Sequence, residues 1–119
     1  MSKVIGIIGT RRRNSKKDFA IVEDAFLEFY EQGDIICSGL CSTGGDRFAV
    51  LLQKKYNTDF KWYPADWDTY GPKAGHIRNT DIARDSDILI ACVYEDRTGG
   101  TEDTIKKFKI FGKTKLILV

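Results

Sequence analysis

The chain lacks the marks of a membrane, metal or disulfide protein. No apolar run approaches the roughly 20 residues that cross a bilayer, so no membrane-spanning segment is expected. The opening stretch Met1–Gly9 is too short and too glycine-broken for a signal peptide and reads as a first strand. There is one histidine, His76, and there are three cysteines, Cys37, Cys41 and Cys92. A single CxxxC spacing with no second ligand pair does not make a zinc site, so no metal is expected. An odd cysteine count, with Cys37 and Cys92 inside apolar runs, points to reduced buried thiols and a cytoplasmic setting. No linker, repeat or low-complexity segment interrupts the chain.

Two nucleotide-binding signatures are also missing. Gly6-Ile7-Ile8-Gly9 lies within a strand with no third glycine after it, so it is not a dinucleotide fingerprint. No Gly-Lys-Ser/Thr occurs, which excludes a Walker A loop. Charge is close to balanced, at a net +2, so bulk electrostatics do not call for nucleic acid. The one basic run is Arg11-Arg12-Arg13 followed by Lys16-Lys17, either a solvated loop or an anion-facing wall.

What is present is an ordinary globular composition in 119 residues, 42% hydrophobic and 30% charged, enough for one domain with a core. Short apolar runs alternate with segments of helical period. Strands are expected at Lys3–Gly9, Ile35–Ser38, Phe60–Tyr63, Asp87–Val93 and Lys115–Val119. Helices are expected at Lys16–Gln32, Gly45–Tyr56, Gly75–Arg84 and Thr101–Phe111. The first helix aligns Phe19, Val22, Phe26 and Phe29 on one face. The second buries Phe48, Leu51 and Leu52, and the fourth turns Ile105 and Phe108 inward. The run Ile88–Val93 is almost continuously apolar, as in a strand covered on both faces. This alternation predicts an α/β, Rossmann-like three-layer fold with a five-stranded parallel sheet in the order 3-2-1-4-5. The crevice then lies between strands one and four, at their C-terminal ends.

Four segments bring unusual residues to that edge. Gly9-Thr10-Arg11 ends the first strand with a glycine, a hydroxyl and a forked cation suited to phosphate. Ser38-Gly39 opens a glycine- and hydroxyl-rich loop that leads into the second helix, whose N-terminus favours anions. Ser42 or Thr43 can equally cap that helix. Asp46 in its first turn suits the helix dipole but opposes an anion placed there. Pro64–Asn79 is a long polar, aromatic stretch. Trp67 and Tyr70 can stack on a base or pack on the sheet edge, and Arg78 can grip a phosphate or form an ion pair. Asn79 can meet a sugar hydroxyl or face solvent. Thr98-Gly99-Gly100-Thr101 repeats the cradle before the last helix, with Thr101 as a cap or a ligand contact. Asp66, Asp68, Asp96, Glu102 and Asp103 are the acids near the crevice.

In this order the residues resemble the SLOG superfamily, which includes the lonely-guy phosphoribohydrolases and DNA-processing protein A. The resemblance is nearest to small SLOG proteins of phages and bacteria. Their pattern is matched by Gly9-Thr10-Arg11, Ser38-Gly39 through Asp46-Arg47, Pro64–Trp67, Tyr70-Gly71, Ala74-Gly75, Arg78-Asn79 and Gly100-Thr101. It covers nearly the whole chain, and its central block is the most specific part. The resemblance implies a Rossmann-like domain for nucleotides or nucleotide-derived signals such as ADP-ribose derivatives. It implies ligand contacts at Gly9, Thr10, Arg11, Ser38, Gly39, Asp66, Trp67, Tyr70, Gly75, Arg78, Asn79, Gly99, Gly100 and Thr101.

The lonely-guy enzymes carry Pro-Gly-Gly-x-Gly-Thr-x-x-Glu. Aligning Gly100-Thr101 puts Asp96, Arg97 and Thr98 at Pro-Gly-Gly and Thr104 at the catalytic Glu. A threonine supplies no carboxylate for an oxocarbenium-like centre. The expectation is therefore a nucleotide-binding module that senses or sequesters its ligand, without a cofactor. The alternatives are an N-glycosidase acting on nucleoside monophosphates and a single-stranded nucleic acid binder. A homodimer or larger homo-oligomer is open, with Trp62, Tyr63 and Phe108–Phe111 as either surface or core.

Overall fold

The computed structural model describes residues 2–119. The elements run β1 (Val4–Gly9), α1 (Lys16–Phe29), β2 (Ile35–Ser38), α2 (Gly45–Tyr56) and β3 (Asp59–Trp62), then α3 (Trp67–Tyr70) and a 3-10 turn (Gly71–Lys73). They continue with α4 (Ala74–Asp85), β4 (Ile88–Cys92), α5 (Gly100–Ile110) and β5 (Leu116–Leu118). All four strand pairings are parallel and the order is β3-β2-β1-β4-β5. This is the Rossmann-like order that the alternation of runs predicts, with the switch point between β1 and β4.

Strand periodicity sorts the core into two layers. Ile5 and Ile7 of β1, with Ile88, Ile90 and Cys92 of β4, pack on Val22 and Phe26 of α1 and on Phe48 and Leu52 of α2. Val4 and Ile8, with Leu89 and Ala91, face the other way onto Ile82 and Ala83 of α4 and onto Ile105 and Phe108 of α5. The central strands are thus apolar on both sides, whereas edge strand β3 leaves Phe60 about half exposed. Leu51, expected inside, lies at the rim of α2 at 36% exposure, because Phe48 and Leu52 already occupy the inward face. Phe108 is core, whereas Ile110 and Phe111 are exposed at the end of α5. Among the described residues no helix is long and apolar enough to cross a membrane.

The boundaries differ from the sequence expectation in explicable ways. Helix α1 starts with a capping box between Ser15 and Asp18. It ends at Phe29, three residues before Gln32. The buried Asp34 carboxylate takes the N–H groups of Glu31 and Lys3 and the Lys3 ammonium, which draws the chain out of the helix. Burial alone would raise that carboxyl, but these donors hold it below the ordinary range. The stretch before α4 is not wholly loop. Asp66 caps the single turn α3 by accepting from Thr69 N–H at 3.1 Å.

One contact sets the position of α2. A Cβ at Gly45 would stand 2.1 Å from the Ile8 carbonyl carbon and 2.2 Å from the Gly9 nitrogen, both main-chain atoms that cannot step aside. The preceding Gly44 has φ of 73°, in the left-handed region. Gly45→Ala should therefore lose at least about 3 kcal/mol in urea denaturation, at the upper end of ordinary overpacking costs. A loss under about 1 kcal/mol would contradict this account of the contact.

Candidate functional site

The loops after β1 and β4 stand side by side at the C-terminal edge of the sheet. Thr10 N–H donates to the Cys92 carbonyl at 2.9 Å, extending the β1–β4 ladder by one step. Between these loops and α4 lies a cavity of about 380 Å³, within the size range of small-molecule sites. Gly9, Thr10 and Arg11 line it from the β1 side, and Gly99, Gly100 and Thr101 from the β4 side. Arg78 and Asn79 close it from the second turn of α4.

Helix α5 begins without a side-chain cap. Its N-cap is Gly99, with φ of 94°, so neither Thr98 nor Thr101 closes the first turn. Helix α2 likewise starts at Gly44 with no side-chain cap, so the capping role open to Ser42 and Thr43 is not used. The first turn of α5 thus presents backbone N–H groups beside the cavity through Gly100 and Thr101, where an anion is favoured.

The basic run splits into three different jobs. Arg12 forms a two-pronged ion pair with Asp96 at 2.7 and 2.9 Å and lies 3.8 Å over the Tyr94 ring. It ties the β1 loop to the β4 loop. Arg13 donates to the carbonyls of Val93 and Val119 and to Asp18, clamping the ends of β4 and β5. Arg11 is exposed, lines the cavity and makes no side-chain hydrogen bond or ion pair among the described residues.

The two polar residues of α4 are more constrained. Arg78 donates from Nη1 to the Gly39 carbonyl at 2.8 Å and from Nε to Asn79 Oδ1 at 3.1 Å. Asn79 is 8% exposed and donates to the Gly100 carbonyl and to Asp103. It locks α4 to the start of α5 while forming part of the cavity wall.

The remaining expected contacts lie elsewhere. Ser38 is fully buried beneath the cavity, its hydroxyl 2.5 Å from the Ile7 carbonyl and 2.9 Å from Asp46 Oδ1. Gly39 meets the site through its carbonyl, held by Arg78, and through its N–H, which faces the Asp46 carboxyl. Asp66 and Tyr70 line a separate cavity of about 170 Å³ on the far side of Arg78, with Tyr63 and Pro64. Trp67 is 57% exposed and packs across Gly75, where a Cβ would lie 3.5 Å from the indole; neither residue lines either of these two cavities.

The acids are distributed just as unevenly. Asp96 serves Arg12 and Glu102 serves Arg97. Asp103 is partly buried, but Lys107, Asn79 and His76 hold its carboxyl below the ordinary range. Neither Asp66 nor Asp68, nor any of these three, lines the cavity beside the β1 and β4 loops. Thr104 lines it with its hydroxyl turned back to the Gly100 carbonyl at 3.2 Å. The carboxyl group that does line it is Asp46, buried in the first turn of α2. Sequence reasoning placed Asp46 by its helix position and by the Asp46-Arg47 end of the loop motif, not as a cavity-lining carboxyl. The signal it lacked is Ser38, eight residues earlier, which the fold brings under the same carboxyl. Arg12, part of the basic run read as a solvated loop or an anion-facing wall, also lines the cavity, and so does Cys41, which the sequence marks only as a thiol. Among the described residues no cluster of metal-ligating side chains occurs.

All three cysteines are free thiols. Burial pushes the Cys37 thiol up to about 12 and raises that of Cys92 as well. Cys41 is partly exposed and lines the cavity. Iodoacetamide should therefore alkylate Cys41 in the folded protein and reach Cys37 and Cys92 only after unfolding. Comparable labelling of all three in native buffer, read by peptide mass mapping, would contradict this placement.

Comparison with protein-family models, with curated proteins and with solved structures finds no match to this chain.

Proposed function

We propose that this domain binds a nucleotide or nucleotide-derived molecule at the C-terminal edge of its sheet, as a SLOG-type sensing or sequestering module. The observation that carries the reading is the convergence of two glycine loops, a glycine-capped helix start and three arginines, Arg11, Arg12 and Arg78, on one cavity at the switch point. Open sheets of this topology hold their ligands there. Arg11 supplies an uncommitted fork for a phosphate, and the N–H groups at the start of α5 supply neutral donors. Tyr70 lies on the far side of Arg78 and Trp67 packs across Gly75, both away from this cavity. A base or second sugar reaching Tyr70 has to pass over Arg78.

Binding is favoured over hydrolysis by the placement of the acids. The position aligned with the lonely-guy glutamate is a buried threonine, and the five acids near the crevice all lie outside the cavity lining. Single-stranded nucleic acid is disfavoured because Arg12 and Arg13 are engaged in contacts within the domain. The exposed Ile110 and Phe111 offer apolar surface to a second copy of the chain.

The test is to incubate the purified protein with nucleoside monophosphates, NAD, ADP-ribose and cyclic ADP-ribose forms. Bound and free fractions are then analysed by mass spectrometry. A compound should be enriched intact on the protein. Arg11→Ala should retain it about ten- to hundredfold less, the loss of one charge-assisted hydrogen bond. Its melting temperature should stay unchanged, since the side chain holds nothing else in place. Equal retention by the variant would contradict the assignment. Release of a free base and a sugar phosphate would make the protein an enzyme.

A further inference from the structure

Among the described residues Asp46 is the single carboxyl group in the cavity lining, and its contact with Ser38 bears on its protonation. The Ser38 hydroxyl lies 2.5 Å from the Ile7 carbonyl oxygen and 2.9 Å from Asp46 Oδ1. A serine has one proton, and a carbonyl oxygen has none to give. Two oxygens 2.5 Å apart must share a proton, so the Ser38 proton belongs to the Ile7 carbonyl. One hydroxyl proton facing two acceptors, with the Ile7 carbonyl the nearer, leaves the 2.9 Å contact to Asp46 short of a donor. A proton on the carboxyl supplies one.

The other carboxyl oxygen is consistent with this. Oδ2 accepts from Cys41 N–H at 3.0 Å. Arg78 Nη1 stands 3.9 Å from it, beyond hydrogen-bonding distance, and is directed to the Gly39 carbonyl.

We propose that Asp46 carries a proton on Oδ1, donated to Ser38, and that the cavity binds phosphate-type anions only with this proton in place. The ligand class rests on the nucleotide-binding reading above; the proton rests on the Ser38–Asp46 geometry alone. With the acid neutral, the Arg78 charge is free to act on an incoming anion. With the acid ionised, it opposes both Arg78 and the ligand.

The charged and titratable groups around Asp46 are few. Arg78 faces it from α4, and Arg47 follows it on α2. Cys37 lies on β2 and Cys41 in the loop after it. Arg11 and Arg12 come from the loop after β1. From α5 only the hydroxyls of Thr101 and Thr104 line the cavity. Burial pushes the Asp46 carboxyl up; the Cys41 N–H, the Ser38 hydroxyl, the Arg78 charge and the Gly39 N–H favour the ionised form, and burial prevails over them. The direction of linkage follows. An anion favours the protonated acid, so its affinity is highest at low pH. Affinity falls, at its steepest about tenfold per pH unit, as pH rises through the titration of Asp46.

The test follows the ¹³C carboxyl signal of Asp46, identified by its loss in Asp46→Asn, across a pH series. The series is run on the free protein, with sulfate and with ADP-ribose. Neither probe titrates in this range. We expect Asp46 to titrate clearly above the ordinary aspartate range and to move higher with either anion. Asp46→Asn keeps a donor for Ser38 and an acceptor for Cys41, and should bind both probes without pH dependence. Cys41→Ser should keep the pH dependence, which separates the carboxyl from the thiol. A free-protein titration within the ordinary range would overturn the proposal even if ADP-ribose binds. A high titration that neither anion moves would overturn the coupling. A response to sulfate but not to ADP-ribose supports the proposal and removes the nucleotide reading instead.

Discussion

The site depends on the close approach of α2 to β1. Gly45 rests on the Ile8–Gly9 main chain with no room for a methyl group. That contact sets where α2 starts and therefore where Asp46, one residue on, is buried. It also places Gly44 against the Thr10 carbonyl, so the loops after β1 and β2 share a wall. Asn14 reinforces the join by accepting Gly44 N–H at 2.9 Å. A larger residue at position 45 has to push α2 outward, which would move Asp46 off Ser38 and open the cavity floor. Packing and site are in this sense one constraint.

Charge is then distributed around that floor by commitment rather than by number. Arg12 and Arg13 are used to hold loops and strand ends together. Arg78 is half committed, to Gly39 and Asn79. Arg11, alone of the three arginines, makes no side-chain hydrogen bond or ion pair among the described residues. The acids follow the same division, with Asp96, Glu102 and Asp103 each paired outside the cavity and Asp46 inside it without an ion-pair partner at hydrogen-bonding distance. A chain with a net charge of only +2 can thus still focus positive charge on one small region.

The strand order and both helical layers were legible because they rest on periodicity. Phe26, Phe48 and Phe108 are buried as their spacing requires. The ends of elements were less legible. The C-terminus of α1 is set by Asp34 reaching back to Lys3, a contact 31 residues apart that no local pattern encodes. In the site, glycines and hydroxyls marked the right loops, since they mark backbone that must turn. Motif order does not say which side chains point into a shared space. Ser38 was read as a ligand contact but points down to Ile7. Sequence groups Trp67 and Tyr70 with Arg78, but Tyr70 lines the cavity on the other side of the Arg78 side chain and Trp67 packs across Gly75. Sequence marks Asp46 by the helix dipole and by the Asp46-Arg47 end of the loop motif, but not as a cavity-lining carboxyl, because its burial depends on Ser38 and on the fit of Gly45.

The central claim is that the ligand sits at the C-terminal edge of the sheet between β1 and β4. Backbone amide shift mapping during titration with the compound the protein retains tests it most directly. The account predicts that the largest changes fall on Gly9–Arg12 and Thr98–Thr101, with the Arg78 side-chain Nε–H moving with them. Changes centred instead on Tyr30, Gly33 and Thr58, around the cavity at the opposite edge of the sheet, would contradict it.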